Sequence, residues 1–460
     1  MSSTKKAKSR PRPSMDLSNS SKRRAARSAR FSSDTDLKYQ TLRRLRIKEQ
    51  EAFEAQQSKH WKESSILVGT CTQMCPNFEI VERTMQKSIH PYEKHPQTHQ
   101  PDPEFTVKAY HRPAAGKGPI LPSDVRPPAL LKKTTEYLFQ QLLQKHPFQE
   151  AHAFVRDRTR AIRQDFSVQS SFTEESIYCH ELIARFHIVS LHELKGQPSF
   201  SSQQEVEQLS KVLYTLGQLY DYKRMKNQAS PHEPEFRAYM ALLCLGDPAL
   251  SIETLSWSSD LIEKPIVRTA LALHSYAQRN NHFEQKLKHV DLSLISSENT
   301  EAAPNFYTRF FKLAKSFKTT FLMACILDMF LPSIRTGALK AMKKSYLSAH
   351  ANIPFNDLLR ILSVSHNEEL IKICQSHGLQ VEFTDGLPSS VVLNKRVLIH
   401  DALPVDNECS YLADTKYHKV PTSDIICIAS DRATVQRRRH SKKDIRKKSS
   451  FKRGSHPKNY

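Results

Sequence analysis

From Leu130 to Leu347 the apolar residues of this chain return at helical spacing. Tyr178, Leu182, Phe186 and Val189 fall four, eight and eleven residues apart and line one face of a helix. Leu209, Leu213, Leu216 and Tyr220 repeat that spacing. Ser230, Pro231, His232 and Glu233 have the order of a capping box with Pro at the first helical position. Phe236, Met240 and Leu243 then share a face, and Gly246 is the expected stop. Further helices are expected over 263–279, 304–316 and 319–331, the last halted by Pro332. Only 10 of the 460 residues are glycine, which argues against Gly-rich phosphate loops and against a strand-rich fold with many tight turns. The expected fold is mainly α, a helical-hairpin (TPR-like) solenoid over 129–347. No strict sequence period is present, so the repeat rests on helix spacing alone.

Residues 348–430 change character. Asn356–Ser363 reads as one helix, and Ser365 with Glu368 as the capping box of a second, Asn367–His377, closed by Gly378. Leu379–Phe383, an Asp385-Gly386 turn and the β-rich runs Val391–Leu393 and Val397–Ile399 follow. Helix, turn, helix and strand pair is the order of a winged helix, and a solenoid capped by a winged helix is PCI-like. A DNA-reading second helix would be basic and rich in Asn, Gln or Arg. This one carries Glu368, Glu369 and the single cation Lys372, beside apolar Leu370, Ile371, Ile373 and Cys374, so it reads as a protein-docking element. Lys340, Lys343, Lys344 and Arg360 nearby remain available to backbone phosphates.

The net charge is +22, and its distribution matters more than its size. Residues 1–30 contribute +9 and residues 431–460 contribute +10, leaving +3 for everything between. A near-neutral body with two basic ends points to a polyanion gripped by arms rather than by a basic groove, or to nuclear import signals; the two are compatible. The expected phosphate contacts are Arg437, Arg438, Arg439, Lys442, Lys443, Arg446, Lys447 and Lys448, with Lys22, Arg23 and Arg24 at the other end. The sequence divides into a disordered basic tail (1–36), a charged helix (37–64), an extended Pro/His-rich strap (65–128), the solenoid (129–347), the winged-helix region (348–430) and a second basic tail (431–460). Nine prolines between 91 and 128 forbid a long helix in the strap.

Eight scattered cysteines with no signal peptide read as reduced thiols, and the most apolar window, Phe317–Leu331, is too short and too charged to span a bilayer. Cys71 and Cys75, with His90, His95 and His99 downstream, are the one metal-like grouping. Their spacing fits no familiar tetrahedral pattern, and structural thiols are the preferred reading. Walker, nucleophile-elbow, zinc-protease and kinase motifs are missing from the sequence, so no enzyme and no cofactor are expected. On Val155–Phe166, Arg156, Arg160 and Arg163 share a face. They form either a ridge for phosphates or, preferably, a solvated face partly neutralised by Asp157.

The strap also carries a resemblance. Gly69, Thr70, Cys71, Met74, Cys75, Pro76 and Glu79, with Glu82 and Arg83 one turn on, resemble the opening signature of the Sac-three/GANP family of nuclear export factors. Val107–Gly116, Leu121–Pro128, Asp157–Phe166, Ala184–His187 and Glu235–Tyr239 continue the match in the same order. The resemblance implies a PCI-like module that pairs with a PCI-domain subunit and a small acidic subunit in a complex of TREX-2 type. It implies a composite nucleic-acid surface on the paired winged helices, without sequence specificity, and a nuclear location at or near the pore. It further implies that Cys75, Pro76, Glu79, Arg112, Asp124 and Arg126 hold the strap to the helices. The Phe-Gly repeats and the long centrin-binding helix of larger members have no counterpart in this sequence, so it resembles the short members. The alternative is a protein-binding scaffold at centrosomes or the mitotic spindle with no nucleic-acid role.

Overall fold

The computed structural model describes residues 34–59, 67–112, 119–247, 250, 254–281, 306–345, 352–393, 399, 412–416 and 420–427. The chain divides into two compact units. One comprises Met1–Leu130 with Gln164–Ser170, the other Leu131–Arg163 with Ser171–Tyr460.

In the first unit, helix α1 (Asp34–Lys59) packs on the short helix α2 (Asn77–Met85). Tyr39 stacks on Phe78 at 5.6 Å, and the Arg46 guanidinium lies 4.8 Å from the same ring, so one aromatic side chain anchors both an apolar and a cationic neighbour. Beyond α2 the described chain is largely extended, with 3-10 turns at Pro91–Glu93 and Pro122–Asp124, each opening on a proline that fixes φ, and further turns at 96–98 and 103–105.

The second unit is mainly α. Helices α3 (Pro128–Glu136), α4 (Phe148–Val168), α5 (Glu174–Glu193), α6 (Ser202–Met225), α7 (Glu233–Leu243), α8 (Pro265–Asn281) and α9 (Phe306–Lys315) follow in order; the first residues of α3 and the end of α4 cluster with the first unit. From α5 to α9 each packs on its sequence neighbour, giving stacked helical hairpins. Helix α10 (Phe321–Leu327) turns back onto α5 and α7, and α11 (Leu331–Ser345) packs on α8 and α9. Helix α5 is buried on nearly every side: from Ser176 to Leu191 all residues but Tyr178 are buried. Its apolar face was legible, but its polar residues face neighbouring helices instead of water.

Three expected helix signals act differently. Helix α7 starts at Glu233 without a side-chain cap, because the Glu233 carboxylate is taken by Arg224 at 2.8 Å and Arg237 at 3.4 Å and does not reach back to the backbone; it closes at Cys244, two residues before Gly246. Pro332 does not stop a helix: α10 ends at Leu327, and Pro332 sits at the second position of α11, where its missing N–H costs nothing. The expected arginine ridge of α4 is neither free for phosphates nor simply solvated. Arg156 pairs with Glu205 at 3.0 Å, and Arg163 donates to Gln208, both on α6. Asp157 pairs with Arg158.

After α11 come strand β1 (Asn352–Pro354), helices α12 (Phe355–Ile361) and α13 (Asn367–Ser376), and strands β2 (Gln380–Thr384) and β3 (Leu387–Val392). The sheet is antiparallel in the order β1-β3-β2, with Ile353 and Val381 both opposite the fully buried Val391. Asp385 and Gly386 both have positive φ, 53° and 78°, as a two-residue hairpin turn requires. Gly378 closes α13 with φ 74°, whereas Ser365 does not cap it: His366 holds that position and makes no side-chain cap bond. Strand β1 escaped the sequence reading because it is three residues long and ends in proline. The expected strand at Val397–Ile399 lies, but for its last residue, outside the described residues.

Candidate functional site

The signature residues of the strap meet around two buried carboxylate systems. Glu93, fully buried, accepts both terminal nitrogens of Arg83 together with the backbone N–H of His90 at 3.0 Å and of Val107 at 3.1 Å. Glu79 accepts from Ala109 N–H at 2.7 Å and lies 3.6 Å from Arg83 and 3.8 Å from His111. Lys108 N–H, between these two, donates to the Met74 carbonyl at 3.0 Å. An extended segment must place its backbone donors somewhere, and here side-chain carboxylates do the work of a neighbouring strand. Burial disfavours charge on Glu79, but hydrogen bonds from His111 and Ala109, together with Arg83, outweigh it and hold its pKa below the ordinary value.

The second system centres on Asp165, almost fully buried near the end of α4. Arg126 Nε reaches it at 2.7 Å and Lys108 Nζ at 2.6 Å, while Arg126 Nη1 also donates to the Met74 carbonyl at 3.2 Å. Gln169, one turn on, donates to the Arg126 carbonyl at 2.9 Å and accepts from Gly69 N–H at 3.1 Å. A Cβ at Gly69 would stand 2.5 Å from the Val125 carbonyl oxygen, so only glycine allows this approach. Helix α1 is tied in by Arg46, which pairs with Asp124 at 2.5 Å, and by Glu49, which accepts from the N–H and hydroxyl of Ser123.

Cys75, Pro76, Glu79 and Arg126 are thus buried in this framework, and Asp124 joins α1 to the strap. Arg112 is different: it is exposed and lines a pocket of about 520 Å³ whose walls include Phe78, Ile120 and Val168. Glu93, Lys108 and Asp165 complete the framework and were not singled out from sequence.

Cys71 and Cys75 are buried free thiols; the Cys71 thiol donates to the Gln73 carbonyl, and burial pushes both pKa values up. His90 and His95 accept backbone N–H groups of their own turns, and among the described residues no His, Cys, Asp and Glu cluster is placed to hold a metal. The tail residues Lys22, Arg23, Arg24, Arg437, Arg438, Arg439, Lys442, Lys443, Arg446, Lys447 and Lys448 lie outside the described residues.

In the second unit the turn between α12 and α13 is held from α11. Arg335 pairs with Glu369 at 2.9 Å and donates to the carbonyls of Leu362 at 3.1 Å and Ser363 at 2.9 Å. Glu369 therefore faces inward, and the outward face of α13 keeps Glu368, Lys372 and Gln375. Of the nearby cations, Lys340 is exposed, while Arg360 is engaged with Asp357 at 3.0 Å. At the hairpin tip Phe383 and Leu387 stand exposed. No single described helix is long and apolar enough to cross a membrane; α10 with α11 passes that test only as a pair bent by 65°, and α10 is buried but for Phe321.

Comparison with known sequences gives one consistent answer. The SAC3/GANP family model matches residues 74–383. SAC3 family protein 1 of Schizosaccharomyces pombe is 41% identical over 389 residues, covering 82% of this chain and 37% of the relative. SAC3 family protein B of Arabidopsis thaliana is 26% identical over 378 residues, 79% of this chain and 20% of the relative. Protein xmas of Drosophila melanogaster is 28% identical over 334 residues, 70% of this chain and 15% of the relative. The chain spans well under half the length of each of these curated relatives. The match begins at the strap, runs through the helical hairpins and ends in the β2–β3 hairpin, and on that extent the chain belongs to the SAC3/GANP family.

Proposed function

We propose that the protein is a non-catalytic nuclear scaffold of a messenger-RNA export complex of TREX-2 type, pairing with a PCI-domain subunit and a small acidic subunit and engaging RNA or DNA without sequence specificity. The observation that carries this is the family match over 74–383, which covers both the buried-carboxylate strap and the hairpin stack. Glu79, Glu93 and Asp124 of the strap are spent on holding backbone and cations: Glu79 and Glu93 accept N–H groups and lie against Arg83, and Asp124 pairs with Arg46, as a scaffold needs. The order β1, α12, α13, β2, β3, with β3 central, supports reading 352–392 as a winged helix. Its second helix presents few cations, which favours docking to protein over reading bases. The basic ends of the sequence supply the counterion-releasing contacts that bind polyanions without sequence preference.

Depletion of the protein, followed by in situ hybridisation to polyadenylated RNA, tests the export role. Nuclear accumulation of that RNA is the expected result. An unchanged distribution accompanied by spindle or centrosome defects would replace the export reading with that of a mitotic scaffold.

A further inference from the structure

The loop between α9 and α10 holds an aromatic ring out into water. Phe317 is 92% exposed, the most exposed large apolar side chain among the described residues. The loop that carries it is tied down: the hydroxyls of Ser316 and Thr319 both donate to the Leu313 carbonyl, at 2.7 and 2.9 Å. Thr320 caps α10 by accepting from Met323 N–H, and Lys416 Nζ crosses to the carbonyls of Lys315 and Ser316. A ring on so well-anchored a loop is presented, not merely uncovered.

Phe317 stands on the wall of a groove of about 760 Å³ that runs between this loop, the turn after α12 and the segment 412–416. The lining combines the apolar Phe321, Val364 and Leu412 with hydroxyls from both sides and two lysines, Lys315 and Lys416, and includes no carboxylate. Lys312 and Lys318 are exposed beside it, and neither they nor Lys315 make a side-chain ion pair or hydrogen bond among the described residues. Burial, aided for Lys315 by the like charge of Arg335, lowers the pKa of Lys315, and burial lowers that of Lys416; an anion in the groove would relieve both.

We infer that this groove is a binding site for single-stranded nucleic acid, in which a base stacks on Phe317 and the flanking phosphates lie against Lys315, Lys318 and Lys416. Cations along a groove with a stacking ring are what sequence-tolerant single-strand binding requires. The inference rests on the nucleic-acid part of the proposed function and places a base-stacking contact inside the folded second unit, which the basic tails do not supply.

Fluorescence anisotropy on the full chain tests it, using labelled oligouridine and an abasic strand of equal length. Phe317→Ala should weaken oligouridine binding about tenfold, since one stacked base is worth roughly 1–3 kcal/mol. It should leave the abasic strand unaffected, and Phe317→Tyr should restore affinity. Lys315→Glu with Lys318→Glu should weaken both strands and reduce the slope of log affinity against log salt by about 1.4. Unchanged melting temperatures identify these as binding effects. If the wild type does not bind oligouridine at all, the nucleic-acid reading falls together with the groove. If it binds but the variants match it, the groove inference alone is overturned. It is also overturned if Phe317→Ala weakens both strands equally, or if Lys315→Glu with Lys318→Glu releases an acidic protein without changing oligouridine affinity.

Discussion

Asp165 receives two cations, Arg126 and Lys108, in a place almost without water. Replacing it with Asn keeps the shape but leaves two buried charges facing a neutral amide. Asp165→Asn should cost about 3–5 kcal/mol, measured by urea unfolding, whereas Asp157→Asn on the same helix, half-exposed, should cost under about 1 kcal/mol. Gly69→Ala drives a methyl against the Val125 carbonyl, which is backbone and cannot swing aside, so a loss of about 2 kcal/mol or more is expected in the same experiment. The signature made Cys75, Glu79 and Arg126 visible in the sequence, but not what they touch. Lys108 and Asp165 are 57 residues apart, and no local pattern pairs them; only the folded strap brings them together. Arg112 shows the opposite limit, since sequence placed it among the structural residues and the structure leaves it exposed at a pocket.

At the level of elements, periodicity identified the helices well and their environments poorly. Helix α5 shows why. His180, Glu181, Arg185 and His187 would face water on a surface helix, but each is buried with a partner: the Ser176 carbonyl, Tyr220 with His232, Glu235, and Glu205 respectively. Period alone cannot distinguish a helix exposed on one side from one enclosed all round when its polar residues find partners in its own backbone and in the helices packed against it. Burial holds the His180 pKa down at about 4, against an ordinary 6.5. The unfolded chain therefore binds the proton more tightly, so this contribution is intact above pH 6.5 and is lost as pH falls towards 4, by about 3 kcal/mol. Glu205 acts in the same direction lower down: burial opposes its charge, but hydrogen bonds from His152 and His187 hold its pKa at about 2 against 4.5, so its stabilisation fades as pH falls from 4.5 to 2. Urea midpoints taken between pH 7 and pH 4 should drop, and His180→Gln should flatten the upper part of that fall. At the other end of the unit, Arg335→Met should free the Leu362–Ser363 turn and strand Glu369, lowering stability by about 3 kcal/mol.

For the molecule as a whole, the proposed division of labour follows the charge. The body is close to neutral and the ends are strongly basic, so the proposed binding of RNA by the tails should be steeply salt-dependent. Reversing the charge of Arg437–Arg439 and Lys442–Lys448 should abolish most of it at physiological salt; RNA affinity that survives this change would remove the tails from the account. Fold class and family could be read from the sequence because both depend on local periodicity and on ordered motifs. The three-stranded sheet was legible only in its hairpin, since β1 closes it from far along the chain.

The claim on which the rest depends is that the protein is a scaffold pairing with a PCI-domain subunit. The direct measurement is affinity purification of the tagged protein from nuclear extract with nuclease present, followed by mass spectrometry. A stoichiometric PCI-domain subunit together with a small acidic subunit is the predicted result. Recovery of centrosomal or unrelated proteins with neither subunit present would leave the family fold standing and contradict the export scaffold.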